Sequence, residues 1–160
     1  MPGHLIRSAA SPDDFAVART LFREYQAALG VDLCFQGFDH EVDSLPGAYA
    51  PPRGCLLLAG TNEDPLGCAA LRPLQDLGDA TCAEMKRLYV RLAARGTGLG
   101  RALAQAVIAE ARQRGYAELK LDTLAQMHAA RDLYRRLGFR ECPAYYHNPL
   151  GGTLYMALSL

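Results

Sequence analysis

The chain reads as an α/β domain, a mixed sheet flanked by helices, and three observations predict it. The first is Arg95-Gly96-Thr97-Gly98-Leu99-Gly100-Arg101, a glycine-rich turn between a β-prone stretch, Met85 to Val90, and a long amphipathic stretch. In that amphipathic stretch Leu99, Leu103, Ala106 and Val107 recur at helical spacing, and Gly115 follows Arg112 and Arg114 as a C-terminal stop. The second is the order of apolar runs, which read as β-α-(α)-β-β-β-α-β-α-β-β and so imply a mixed sheet. The third is size and composition. A length of 160 residues, 50% of them apolar, suits one domain over residues 1–160. A chain of that size buries about 70% of its unfolded surface.

Each element has its own local reason. His4 to Ser8 reads as a strand. Ser11-Pro12-Asp13-Asp14 is a helix N-cap with proline in the first turn, and Phe15, Ala18, Leu21, Phe22 and Tyr25 make one face up to Gly30. Residues 31–54 are irregular, with a short helix near Asp39 to Leu45. Cys55 to Ala59 and Leu66 to Leu74 are strands joined by the turn Asn62-Glu63-Asp64-Pro65. Thr81 to Val90 is a third strand of this set and leads into the glycine turn. Glu118 to Asp122 is a short strand, and Ala129 to Leu137 is a helix ended by Gly138. Phe139 onward and Thr153 to Leu160 read as closing strands.

Composition excludes several classes. No apolar run reaches the ~20 residues that span a bilayer. Met1 to Ala10 lacks the long apolar core of a signal peptide. Five cysteines without a Cys-x-x-Cys pair suggest reduced core thiols and a cytoplasmic protein. The four histidines are scattered without ligand spacing, so no metal is expected. Zero net charge argues against nucleic acid as a partner. Charge is uneven all the same: residues 1–50 net −4 and residues 81–140 net +7.

A glycine turn feeding a helix presents unpaired N–H groups and the positive end of the helix dipole, which suits an anion such as a pyrophosphate. The P-loop pattern is absent, and the last glycine falls one residue early for the dinucleotide fingerprint. The spacing Arg95-x-x-Gly98-x-Gly100 instead resembles the acyl-CoA loop of the GNAT superfamily of N-acetyltransferases. A second segment, Ala130 to Phe139, resembles that family's Ala-x-x-x-Tyr-x-x-x-Gly-Phe helix. The element order is similar to the GNAT fold over essentially the whole chain. One position departs: Met127 stands where family members often carry an asparagine that contacts CoA.

The resemblance implies acetyl transfer from acetyl-CoA, used as cosubstrate without a metal, to an amine. Arg95, Gly96, Thr97, Gly98, Leu99, Gly100 and Arg101 would hold the pyrophosphate. The backbone of Leu88, Tyr89 and Val90 would pair with the pantetheine arm and polarise the thioester carbonyl. Tyr134 occupies the position of the general acid. A tyrosine at ~10 can protonate a leaving thiolate at ~8.5, whereas its plainer role is a packed aromatic on the face of Ala130 and Leu137. Glu84, eleven residues before Arg95, matches a glutamate that acts as base through water in some members. Period-2 alternation places it on one face with Lys86 and Leu88, where the plainer expectation is a surface pair with Lys86.

For the acceptor, the expected contacts are Tyr25, Phe35, Tyr145, Tyr146 and His147. Asp39, Glu41 and Asp43 would draw a cationic amine. The reading is an N-acetyltransferase for a small-molecule amine, with no membrane partner and an assembly state that admits a homodimer. The alternatives are an acetyltransferase acting on a protein amine and a non-catalytic acyl-CoA-binding module.

Overall fold

Ser11 opens the first helix as its spacing predicts. Its hydroxyl accepts from the Asp14 N–H at 3.1 Å, and the Asp14 carboxylate accepts from the Ser11 N–H, a reciprocal capping box. Gly30, at φ 67°, ends the same helix in the left-handed conformation. The computed structural model describes residues 4–33, 37–74 and 80–160. Its elements run β1 (Ile6–Ser8), α1 (Pro12–Leu29), α2 (Phe38–Asp43), β2 (Cys55–Gly60), β3 (Pro65–Pro73), β4 (Cys82–Val90), α3 (Leu99–Gln113), β5 (Glu118–Leu124), α4 (His128–Arg136), β6 (Arg140–Cys142) and β7 (Thr153–Ser159).

The strands form one seven-stranded sheet in the order β1-β2-β3-β4-β5-β7-β6. Every neighbouring pair is antiparallel except β4 with β5. This is the mixed sheet flanked by helices that the sequence predicts. On one face Leu57, Ala83, Leu119 and Leu121 pack under α3 and α4 through Leu103, Val107 and Tyr134. On the other, Leu56, Leu58, Cys68 and Ala70 pack under α1 and α2 through Leu21, Phe22 and Phe38. Leu21, Phe22 and Phe38 are each 0% exposed, and each such side chain contributes about 1.5–3 kcal/mol by burial. No described helix is long and apolar enough to cross a membrane.

The parallel pairing is short. β4 meets β5 only where Cys82, Ala83 and Glu84 stand against Glu118, Leu119 and Lys120. Beyond that point β4 stays with β3 as far as Val90, and β5 stays with β7 as far as Leu124. The sheet therefore splits down its middle, and from Met85 onward the β5-facing edge of β4 has no strand partner among the described residues.

Candidate active site

The split is shaped by an extra residue in β4. Cys68 pairs with Tyr89 and Ala70 with Lys86, so Arg87 and Leu88 stand opposite Ala69 alone. Arg87 takes the strain of this bulge at φ 60°, unusual for a residue with a Cβ. Two carboxylate contacts hold it there: its guanidinium donates to Glu41 of α2 at 2.9 and 3.1 Å. It also lies over the Phe38 ring at 4.9 Å.

The bulge changes which way the strand faces. Ala83 and Met85 pack toward α3 before it, and Leu88 and Val90 do so after it. Period-2 alternation placed Leu88 with Glu84 and Lys86. The extra residue puts Leu88 on the opposite face, and Lys86 and Arg87 both line the cavity in the split.

That cavity is lined by Tyr25, Lys86, Arg87, Asp122, Thr123 and Tyr134, among others. An apolar groove of about 600 Å³ adjoins it, with Leu88, Tyr89, Val90, Met127, Ala130 and Leu133 along its walls. Arg95 and Gly100 border the groove at the glycine turn. The turn feeds α3 with Gly98 as N-cap at φ 83° and no side chain capping the first-turn N–H groups. Gly96, Thr97 and Gly98 border a separate outer hollow with His4 and Asp64. The Leu99 side chain is 1% exposed and belongs to the core, which leaves only its backbone to a ligand. Arg101 is exposed on the first turn of α3.

Tyr134 stands where cavity and core meet, its ring edge-on to Phe139 at 5.8 Å. Burial, then the charges of Tyr25 and Asp122, push its hydroxyl well above the usual range. Burial pushes Tyr25 up to about 12 as well. Both phenols are neutral at working pH. Thr123 Oγ1 is buried in the cavity wall without a partner among the described residues.

A polar layer backs the cavity. Glu84 is 0% exposed; Arg72 donates to its Oε1 at 2.9 Å and the Tyr145 hydroxyl donates to its Oε2. It is paired with Arg72 rather than at the surface with Lys86, and it does not line the cavity. Lys86 Nζ lies 3.4 Å from Asp122 Oδ1, and the Tyr146 hydroxyl donates to Asp122 Oδ2 at 2.7 Å. Burial works to raise the Asp122 carboxyl. The Lys86 charge and the hydrogen bonds from Tyr146 and Lys86 outweigh it and hold the group below the usual carboxylate range.

Tyr145, Tyr146 and Tyr155 pack edge-on at 5.3–5.5 Å. Tyr145 thus spends its hydroxyl on Glu84 behind the cavity and Tyr146 on Asp122 in its wall, where Asn148 and Leu150 also stand. His147 is exposed and Phe35 lies outside the described residues. Asp39 pairs with Arg23 at 2.6 Å and Asp43 reaches the same arginine at 4.0 Å. With Glu41 taken by Arg87, none of the three acids lines the cavity.

Sequence reasoning missed Lys86, Arg87 and Asp122 as cavity residues. The signal for the first two was a pair of adjacent cations inside a strand whose other residues, Glu84 aside, are apolar or aromatic.

A split sheet with a bulged strand, an apolar groove and a glycine turn at a helix start defines an acyl-CoA-type transferase, and the comparisons with known proteins agree. The model of the acetyltransferase (GNAT) family matches residues 18–139. The uncharacterized N-acetyltransferase C1271.07c of Schizosaccharomyces pombe is 38% identical over 99% of this chain and 97% of its own length. An acetyltransferase crystal structure from Streptococcus agalactiae superposes with a TM-score of 0.79 at 22% identity, covering 100% of both chains. The structure of yncA from Salmonella typhimurium, solved with its cofactor acetyl-CoA, gives 0.73 at 22% identity over 99% of this chain and 94% of that one. The likeness to these two structures is one of fold. The chain belongs to the GNAT acetyltransferase family and is an N-acetyltransferase of that type.

Proposed function

We propose that the protein transfers the acetyl group of acetyl-CoA to the amine of a small molecule by direct attack on the thioester. The observation that carries this is the continuity of the split: the unpaired β4 edge borders an apolar groove that reaches Arg95 and Gly100 at the start of α3, and the adjoining cavity holds Tyr134. When bound, acetyl-CoA supplies the thioester whose carbonyl the amine attacks. The residues present fit it. First-turn N–H groups of α3 would face its pyrophosphate, Leu88 and Val90 would flank its arm along the groove, and the unpartnered β4 edge could hydrogen-bond to its amides. A β4 backbone N–H at the bulge would polarise the thioester carbonyl.

The proton balance is simple. R–NH3+ and acetyl-S-CoA become R–NH–CO–CH3, CoA-SH and one proton. Of the two protons that leave nitrogen, one goes to water before attack and the other balances the one that Tyr134 gives the departing sulfur. An ordinary tyrosine near ~10 is a weak acid toward a thiolate near ~8.5. Desolvation acts on both partners, however. Burial pushes the thiols of Cys55 and Cys68 up in the core, and a thiolate released in a water-poor cavity would be disfavoured in the same direction. Glu84 takes no step here, because both its oxygens are engaged behind the cavity. Water does the work of the base.

A small acceptor is supported by the lining of the cavity, which draws Leu29 and Leu33 from one side of the chain and Asn148 and Leu150 from the loop before β7. The test is thiol release from acetyl-CoA with a panel of amines, beside CoA titration by calorimetry. Turnover is expected. Tight CoA binding with no turnover on any amine would make the protein an acyl-CoA-binding module instead.

A further inference from the structure

Resting on the acetyltransferase reading above, we infer that the acceptor is an α-amino acid, its carboxylate received by Lys86 and its ammonium by Asp122 before deprotonation. Among the described residues, the charged side chains in the cavity wall are Lys86, Arg87 and Asp122. Arg87 is fixed in position, because Glu41 holds it in two hydrogen bonds and its side chain is 2% exposed. Lys86 and Asp122 are buried too, with side chains 5% and 12% exposed, but they answer each other within the wall itself, whereas the partner of Arg87 lies outside it; this pair is the polar face that the acceptor meets. Their charges are opposite and 3.4 Å apart. A ligand that answers both must carry its own opposite charges close together, as two groups on one carbon. An α-amino acid does so, while an ω-amino acid spreads them.

The sum of charges points the same way. Lys86 and Arg87 are offset by Asp122 in the wall and by Glu41 behind it. A polyamine would bring cations to two buried cations, and a simple anion would meet Asp122. A zwitterion leaves the balance unchanged. The Thr123 hydroxyl, buried and without a partner among the described residues, offers one more polar contact in the same wall. A peptide N-terminus lacks the α-carboxylate and would leave Lys86 facing an amide. The acidic run at Asp39 and Asp43, which the sequence suggests would draw cations, is spent on Arg23.

The experiment measures kcat/KM for the twenty α-amino acids. For the best of them, it adds the α-amide, the decarboxylated amine and a dipeptide that begins with it, with spermidine as the polyamine. The free acid should exceed each analogue by roughly 100-fold, as for a site built around a polar group its analogue lacks. Lys86→Met should raise KM for the acid and abolish the preference, and Lys86→Arg, which keeps the charge and folds where the apolar variant fails, should retain it. Equal rates on acid and amide, or a preference for dipeptide, spermidine or an arylamine, would overturn the assignment. Calorimetry of the amino acid into the enzyme with CoA separates the two levels. Binding without turnover keeps the amino-acid site and sinks the transferase reading; turnover of other amines without amino-acid binding does the reverse.

Discussion

Tyr134 bears most directly on the chemistry, and its replacement is the sharpest single-residue test. Tyr134→Phe should lower kcat about 100-fold, within the range of general acid catalysis, with CoA affinity unchanged because the ring and its contact with Phe139 remain. Thiol-release kinetics and calorimetry read the two effects. Because burial raises the hydroxyl above its ordinary ~10, no alkaline loss of kcat below pH 10 should trace to it. Wild type and variant should keep a constant ratio of kcat from pH 7 to 9. Tyr134 was legible in the sequence because a local motif carries it. Lys86, Arg87 and Asp122 were not. Their placement depends on one extra residue in β4, which shifts facing by one position, and no periodicity announces a bulge. Arg87 also finds its partner 46 residues away in α2, beyond the reach of local pattern.

At the scale of elements, the helices were plain in the sequence because their ends are written in short-range chemistry. The capping box of α1 is the clearest case. Asp14 accepts from the Ala10 N–H at 2.9 Å and from Arg7 at 2.7 Å, with Asn62 and the Ser11 N–H as further donors. Those bonds hold its carboxyl far below the usual range. A depressed native value contributes stability above the unfolded value near ~3.9, and that stability is lost as pH falls through and below it. Asp14→Asn should therefore cost about 1–2 kcal/mol at pH 7 and much less at pH 2, read by urea unfolding at both. The start of α3 offers a second test. Gly98 is at φ 83° with open space around its Cβ position. Gly98→Asn tolerates that conformation and keeps the site neutral, whereas Gly98→Asp adds a negative charge beside the first-turn N–H groups. CoA affinity should fall at least about tenfold for the aspartate relative to the asparagine variant. Equal affinities would remove the glycine turn from the anion site.

For the whole molecule, α2 is the clamp that ties the N-terminal half to the reaction centre. Glu41→Gln leaves the Arg87 cation buried without its carboxylate, a loss of about 3 kcal/mol. In a domain of this size that is a fall in Tm of roughly 6–12 °C. The bulge should loosen with it, so kcat should drop although residue 41 lies outside the cavity wall. A further property of the whole follows from the three-residue seam between β4 and β5. The seven strands are two leaves stitched at one end, each with backbone groups bared along the inner margin. On the proposed reading, a donor arm laid between them would serve as a removable strand, closing ladders that folding leaves open. Cosubstrate occupancy would then be part of the architecture, refreshed and lost with each catalytic cycle. Amide exchange at residues 85–90 and 121–124 should slow when CoA is bound, well ahead of exchange in β2 and β3, and uniform protection across the sheet would contradict this.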